Sequence, residues 1–297
     1  MNDKKTIVIT GASSGIGAQL TKLFARDGHQ LLVCARNGDG LAETTKDLPS
    51  TSYMECDVSS EKDVVRFFDW VRERTPAVDV LIPCAAVMGP IGPIIDIDAN
   101  EWLDALKIDL FGTMLAIKYA VPLMRAERRP RILMLSGGGA FDPMPHLSAY
   151  GIAKAGTIRL AETLAVELAP KNIAVNVFAP GFVATGIFDT MLAAGPERGG
   201  ELYKVIVDLL DRWQDGDIQR PLELARFLIS DRAAPLTGKT ISARFDPWDE
   251  PEFLEVMGDI LGSRLYATQR MNLEHLKGHP FVERLAAAQA RKVPGKT

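Results

Sequence analysis

Thr10-Gly-Ala-Ser-Ser-Gly-Ile-Gly17 follows an apolar run over residues 5–10 and opens an amphipathic stretch over 15–27. A glycine triplet alone is a modest signal, but a strand before it and a helix after it make it strong. Gly11, Gly15 and Gly17 let the backbone turn tightly and approach a pyrophosphate, which a helix N-terminus stabilises. The whole turn, with Ser13, Ser14 and Ile16, is therefore a candidate dinucleotide cradle.

The pattern continues outward from this turn. Apolar runs over 30–35, 52–56, 78–84, 131–136, 173–178 and 240–243 read as strands. Helical periodicity lies between them, near 61–74, 99–126, 148–169 and 220–230. Buried strands alternating with helices predict an α/β fold, a doubly wound parallel sheet of the Rossmann type in three α/β/α layers. One dinucleotide-binding and catalytic domain is expected over 1–245. Residues 182–219, rich in glycine and mixed charge, are expected to form a substrate lobe over the strand ends. Residues 246–297 are expected to be a helical extension, with helical pattern around 252–262 and 281–291.

Of the 297 residues, 47% are hydrophobic, enough for a large core. The net charge is -4 with acids and bases interspersed, which argues against nucleic acid or an anionic membrane as partner. Cys34, Cys56 and Cys84 fit no metal-ligand spacing and no even disulfide set, so no metal is expected. No run is long and apolar enough to suggest a bilayer span, and the cytoplasm is the expected location.

The second strand ends in Ala35, Arg36 and Asn37. An acidic residue there would bind the free ribose hydroxyl of NAD, whereas an arginine can pair with the 2′-phosphate of NADP. NADP(H) is therefore the expected cofactor, with Arg36 and Asn37 as its contacts. Asp57 and Val58, after the third strand, are candidates for holding the adenine.

Tyr150 and Lys154 stand at i and i+4, on one face of the helix over 148–169. An ammonium beside a phenol favours the phenolate and lowers a pKa that is otherwise about 10. A tyrosine tuned in this way can give or take a proton near neutral pH.

With the glycine turn, Asp57 and the Tyr150/Lys154 pair in this order, the chain resembles the short-chain dehydrogenase/reductase family over about residues 5–245. The likeness includes Asn176 and the segment Pro180-Gly-Phe-Val-Ala-Thr185, similar to the family's seat for the nicotinamide carboxamide. It implies that Pro180, Gly181, Val183 and Thr185 contact the cofactor, and that Ala85 lies beside it. It also implies that Tyr150 is the general acid/base and that Lys154 holds the nicotinamide ribose.

Three departures stand out. Pro83-Cys-Ala-Ala86 replaces the family's Asn-Asn-Ala-Gly. Asp109 stands at the family's catalytic asparagine, in Asp109-Leu-Phe-Gly-Thr113. The substrate-polarising serine falls on Gly137, and Ser136 is the expected substitute if the glycine loop re-aims it.

The expected activity is hydride transfer between NADP(H) and a carbonyl or secondary alcohol on a small molecule. The loss of serine and asparagine leaves a lyase or isomerase open, or a non-catalytic NADP-binding protein. Met88, Phe141, His146, Phe182 and Phe188 are candidates for the substrate lining. Small residues Ala153, Gly156 and Ala161 on the helix over 147–168 allow close packing. Family members pair such helices, so the resemblance implies a homodimer or homotetramer.

Overall fold

The computed structural model describes residues 4–263 and 266–268. Seven parallel strands run through it: β1 Thr6–Thr10, β2 Gln30–Ala35, β3 Thr51–Glu55, β4 Val80–Pro83, β5 Arg131–Leu135, β6 Ala174–Ala179 and β7 Thr240–Ser242. Their order across the sheet is β3-β2-β1-β4-β5-β6-β7. The winding reverses between β1 and β4, and a crevice opens there at the carboxyl ends of the strands.

Strand alternation supplies both cores. Ile7, Ile9, Leu31 and Val33 face one side, while Val8, Leu32 and Cys34 face the other. The first layer is closed by α1 Gly15–Arg26 and α8 Gln219–Ile229. The second is closed by α3 Glu61–Arg72, α5 Gly112–Ala120 and α6 Ser148–Glu167. Phe24, Phe67, Phe68 and Phe178 are fully buried, and each large apolar side chain buried this way stabilises the fold by about 1.5–3 kcal/mol.

Several elements differ from the expected pattern. An additional helix, α2 Gly38–Thr45, follows β2, capped by Asn37 Oδ1, which accepts from Gly40 N at 3.0 Å. Of the stretch expected as one helix over 99–126, residues 99–120 form three pieces: α4 Ala99–Leu106, a π turn over Lys107–Phe111, and α5. A 3₁₀ turn over Val121–Leu123 follows. The expected lobe is largely α7 Asp189–Arg212, broken by non-helical glycines Gly195 (φ 74°, ψ 177°) and Gly200 (φ 60°, ψ -143°).

The packed body continues past residue 245. Trp248, Phe253, Met257 and Ile260, on and beside α9 Pro251–Glu255 and α10 Met257–Gly262, join the core beneath α8. The Trp248 and Phe253 rings lie 5.8 and 6.4 Å from Phe227. These residues are therefore core rather than appendage, and the helical pattern expected around 281–291 lies outside the described residues. Among those residues, no helix is long and apolar enough to cross a membrane.

Candidate active site

A cleft of about 740 Å³ lies at the carboxyl ends of the strands, around the switch point. The turn over 11–17 forms one wall, and two of its glycines are sterically required. A Cβ on Gly11 would sit 2.6 Å from the Ala85 backbone, and Gly11 has φ 69°. A Cβ on Gly17 would sit 2.2 Å from the Gly11 carbonyl oxygen. Ser13, Ser14, Gly15, Ile16 and Ala85 line the same wall.

Arg36 and Asn37 line the end nearest β2, and no aspartate or glutamate lines the cleft among the described residues. Val58 lines it, but Asp57 does not. The Asp57 carboxylate turns back into its own loop, accepting from Ser59 N at 2.9 Å and Ser59 Oγ at 2.7 Å. Pro180, Gly181, Val183 and Thr185 also line the cleft. The Thr185 side chain would meet a Cβ on Gly15 at 3.5 Å, so this segment closes against the glycine turn.

Tyr150 and Lys154 enter the cleft from the first turns of α6. Lys154 Nζ lies 5.3 Å from the Tyr150 ring centre. The expected lowering of the tyrosine pKa is corrected. Burial raises it, and Asp109 adds to that, while Lys154 opposes. For Lys154, burial pulls the pKa down, but Asp109 and Tyr150 outweigh it and the net direction is up.

Asp109 sits on the π turn, with Oδ2 3.4 Å from Lys154 Nζ. Its Oδ1 accepts from Val87 N at 2.8 Å. Burial raises its pKa, opposed by Lys154 and by the Val87 N–H.

Ser136 borders the cleft, but its hydroxyl donates to the Lys154 carbonyl at 3.2 Å and is buried. The glycine run does not aim it at a substrate. Instead Gly138–Ala140 forms a short 3₁₀ turn, and the Tyr150 hydroxyl leans over bare Gly137. A Cβ on Gly137 would lie 2.7 Å from that oxygen. Ser136→Ala should therefore cost about 1 kcal/mol of stability, the worth of one hydrogen bond. Turnover should stay close to wild type, and a turnover collapse without unfolding would restore Ser136 as a polarising group.

Of the expected substrate lining, Met88 and Phe188 border the cleft. Phe141 is 58% exposed outside it. The His146 ring pairs with the Arg198 carbonyl through Nδ1 and is also outside the lining. Phe182 stacks on Phe188 at 4.8 Å but faces a separate pocket of about 300 Å³, beside Trp213. Sequence reasoning missed Val87, Ile108, Ile187 and Thr190, which line the cleft. Their only signal is position, because Ile108 precedes Asp109 and the others border recognised motifs. Cys84, also in the lining, has its thiol pushed up to about 12 by burial, with Lys154 opposing.

The family model described as short chain dehydrogenase matches residues 5–194. Dehydrogenase/reductase SDR family member 4 of Sus scrofa is 30% identical over 80% of this chain and 85% of its own length. A cis-4-hydroxycyclohexanecarboxylate dehydrogenase of Sinomonas cyclohexanicum is 30% identical, over 80% of this chain and 94% of its own. Among solved structures, a variant of actinorhodin polyketide ketoreductase with NADPH superposes with TM-score 0.69 at 26% identity. That match covers 82% of this chain and 97% of the other.

Proposed function

The chain belongs to the short-chain dehydrogenase family, and from that premise we propose an NADP(H)-dependent oxidoreductase that interconverts a small-molecule carbonyl and secondary alcohol. One observation carries this proposal: a single cleft brings together the glycine turn, Arg36 and the Tyr150/Lys154 pair. When bound, the nicotinamide supplies the hydride donor or acceptor.

The protein's own groups do the rest. The turn over 11–17 offers backbone to the pyrophosphate, and the absence of a carboxylate in the described lining favours a phosphorylated ribose beside Arg36. Pro180, Gly181, Val183 and Thr185 flank the nicotinamide end, and Lys154 orients the adjoining ribose. Tyr150 delivers a proton to the carbonyl oxygen in reduction, and takes it back in oxidation. Met88, Phe188, Val87 and Ile187 give the substrate end an apolar wall, which suits a medium-sized ketone.

We also infer a homodimer or homotetramer. In support, α6 leaves Ile152 half exposed and Val166 at 77% exposure on its outer face. A cytoplasmic location fits the three free cysteines.

The test begins with cofactor titration. NADPH should bind at least about tenfold more tightly than NADH, the worth of one charge-assisted hydrogen bond. Arg36→Ala should erase most of that preference. An unchanged ratio in the variant would remove Arg36 from the cofactor site.

A further inference from the structure

Asp109 is a carboxylate held where water cannot reach it. Its residue exposure is 2%, and that of Lys154 is 6%. The π turn aims the side chain inward, Oδ1 is taken by Val87 N, and Oδ2 has no hydrogen-bond partner among the described residues. The Lys154 ammonium, at 3.4 Å, is the charge that compensates Oδ2. Removing either partner would leave the other buried and uncompensated.

This pairing changes what Tyr150 meets. A lone ammonium on the same helix face would draw the phenol toward phenolate. An ammonium already balanced by a carboxylate does so much less, because the two charges act on the phenol with opposite sign. Among the described residues, no other charged group takes the ammonium's place beside Tyr150. Position 137 presents a bare glycine to the Tyr150 hydroxyl, and the Ser136 hydroxyl is donated to the Lys154 carbonyl.

We propose that Asp109 is a positioning residue that pins and neutralises Lys154, so that Tyr150 stays protonated through neutral pH and the site is set for carbonyl reduction. This rests on Tyr150 being the acid/base group. In reduction, a bound reduced nicotinamide would supply the hydride to the carbonyl carbon, and Tyr150 would give its proton to the oxygen. The C=O π bond is replaced by C–H and O–H bonds, and the phenolate left behind regains a proton from solvent. Oxidation needs the phenolate at the outset, so its rate should rise only at alkaline pH.

The groups bearing on Tyr150 are Lys154 from its own helix and Asp109 from the π turn. Lys154 is acted on in turn by Asp109, Tyr150 and, from the end of β4, Cys84. Burial and Asp109 both raise the Tyr150 pKa, in agreement with the geometry.

The test follows Tyr150 ionisation directly. Ultraviolet difference absorbance would be recorded against pH, with Tyr150→Phe subtracted, for the wild type and for Asp109→Asn. The pH profiles of reduction and oxidation would be measured alongside. In Asp109→Asn the ionisation midpoint should fall by about one to two pH units. The falling limb of reduction and the rising limb of oxidation should move with it. Asp109→Glu, which keeps the charge, should stay near the wild-type midpoint.

A midpoint that is unchanged or raised in Asp109→Asn overturns the proposal, as does Asp109→Glu behaving like Asp109→Asn. If Asp109→Asn does not fold, Asp109→Ser carries the same titration with the same two outcomes. Turnover retained in Tyr150→Phe would instead defeat the acid/base role. An inactive Tyr150→Phe with an unmoved midpoint defeats only the role of Asp109.

Discussion

Tyr150→Phe should lower kcat for carbonyl reduction by about 10²–10⁴-fold, the usual worth of a positioned proton donor. NADPH affinity should be nearly unchanged. The substitution removes one oxygen and keeps the ring, so the wall that Tyr150 gives the cleft remains. Lys154 and its partner Asp109 are untouched. Positions 136 and 137 supply no substitute donor, because Ser136 is committed to the Lys154 carbonyl and Gly137 has no side chain. Stopped-flow binding and steady-state turnover on the same preparation separate the two effects. Loss of affinity together with turnover would mean that Tyr150 is structural.

Lys154→Met should destabilise the protein by about 3–5 kcal/mol, because it leaves a buried carboxylate without its counter-charge. The Asp109 side chain is 1% exposed, so water cannot take over that role. The effect should depend on pH with a definite sign. Burial raises the folded-state pKa of Asp109 even with Lys154 present, and without Lys154 it rises further. The folded state of the variant therefore binds a proton that the unfolded state lacks, over the range between the two pKa values. Its stability should increase as pH falls from neutrality through the folded-state pKa, and the gain is complete below the unfolded-state value. Urea denaturation at several pH values checks this. Adding Asp109→Leu to Lys154→Met should recover most of the loss at neutral pH. A pH-independent loss, or no recovery in the double variant, would mean the pair is not the source.

Much of the fold was legible because its inner strands, such as β1 and β4, are buried on both faces. Val8 lies between Ile7 and Ile9 yet packs into the other layer, so the runs read as continuous and apolar. The glycine turn was legible because backbone contacts at 2.2–2.6 Å leave no room for a side chain at Gly17 and Gly11. By contrast, α2 was hidden by Gly38 and Gly40 within its eight residues. The π turn was hidden because Lys107–Phe111 carries the same residue types as the helices on either side. The core role of Trp248 and Phe253 depends on Phe227, which is distant in sequence.

Within the site, residue identity was legible and side-chain direction was not. Ser136 and Asp57 are polar residues at expected positions, but each found a nearer partner. The direction of the Tyr150 pKa depends on burial and on a carboxylate some forty residues earlier in the chain, and spacing along one helix cannot report either.

The central claim is that the cleft carries NADPH-dependent carbonyl reduction. It is tested most directly by incubating the protein with NADPH and a panel of medium-sized ketones, following both loss of the reduced nicotinamide absorbance and formation of alcohol. The expected result is ketone-dependent NADPH consumption matched by alcohol formed in equal amount, and abolished in Tyr150→Phe. Tight NADPH binding with no oxidation across the panel, or substrate conversion without NADPH consumption, would contradict it.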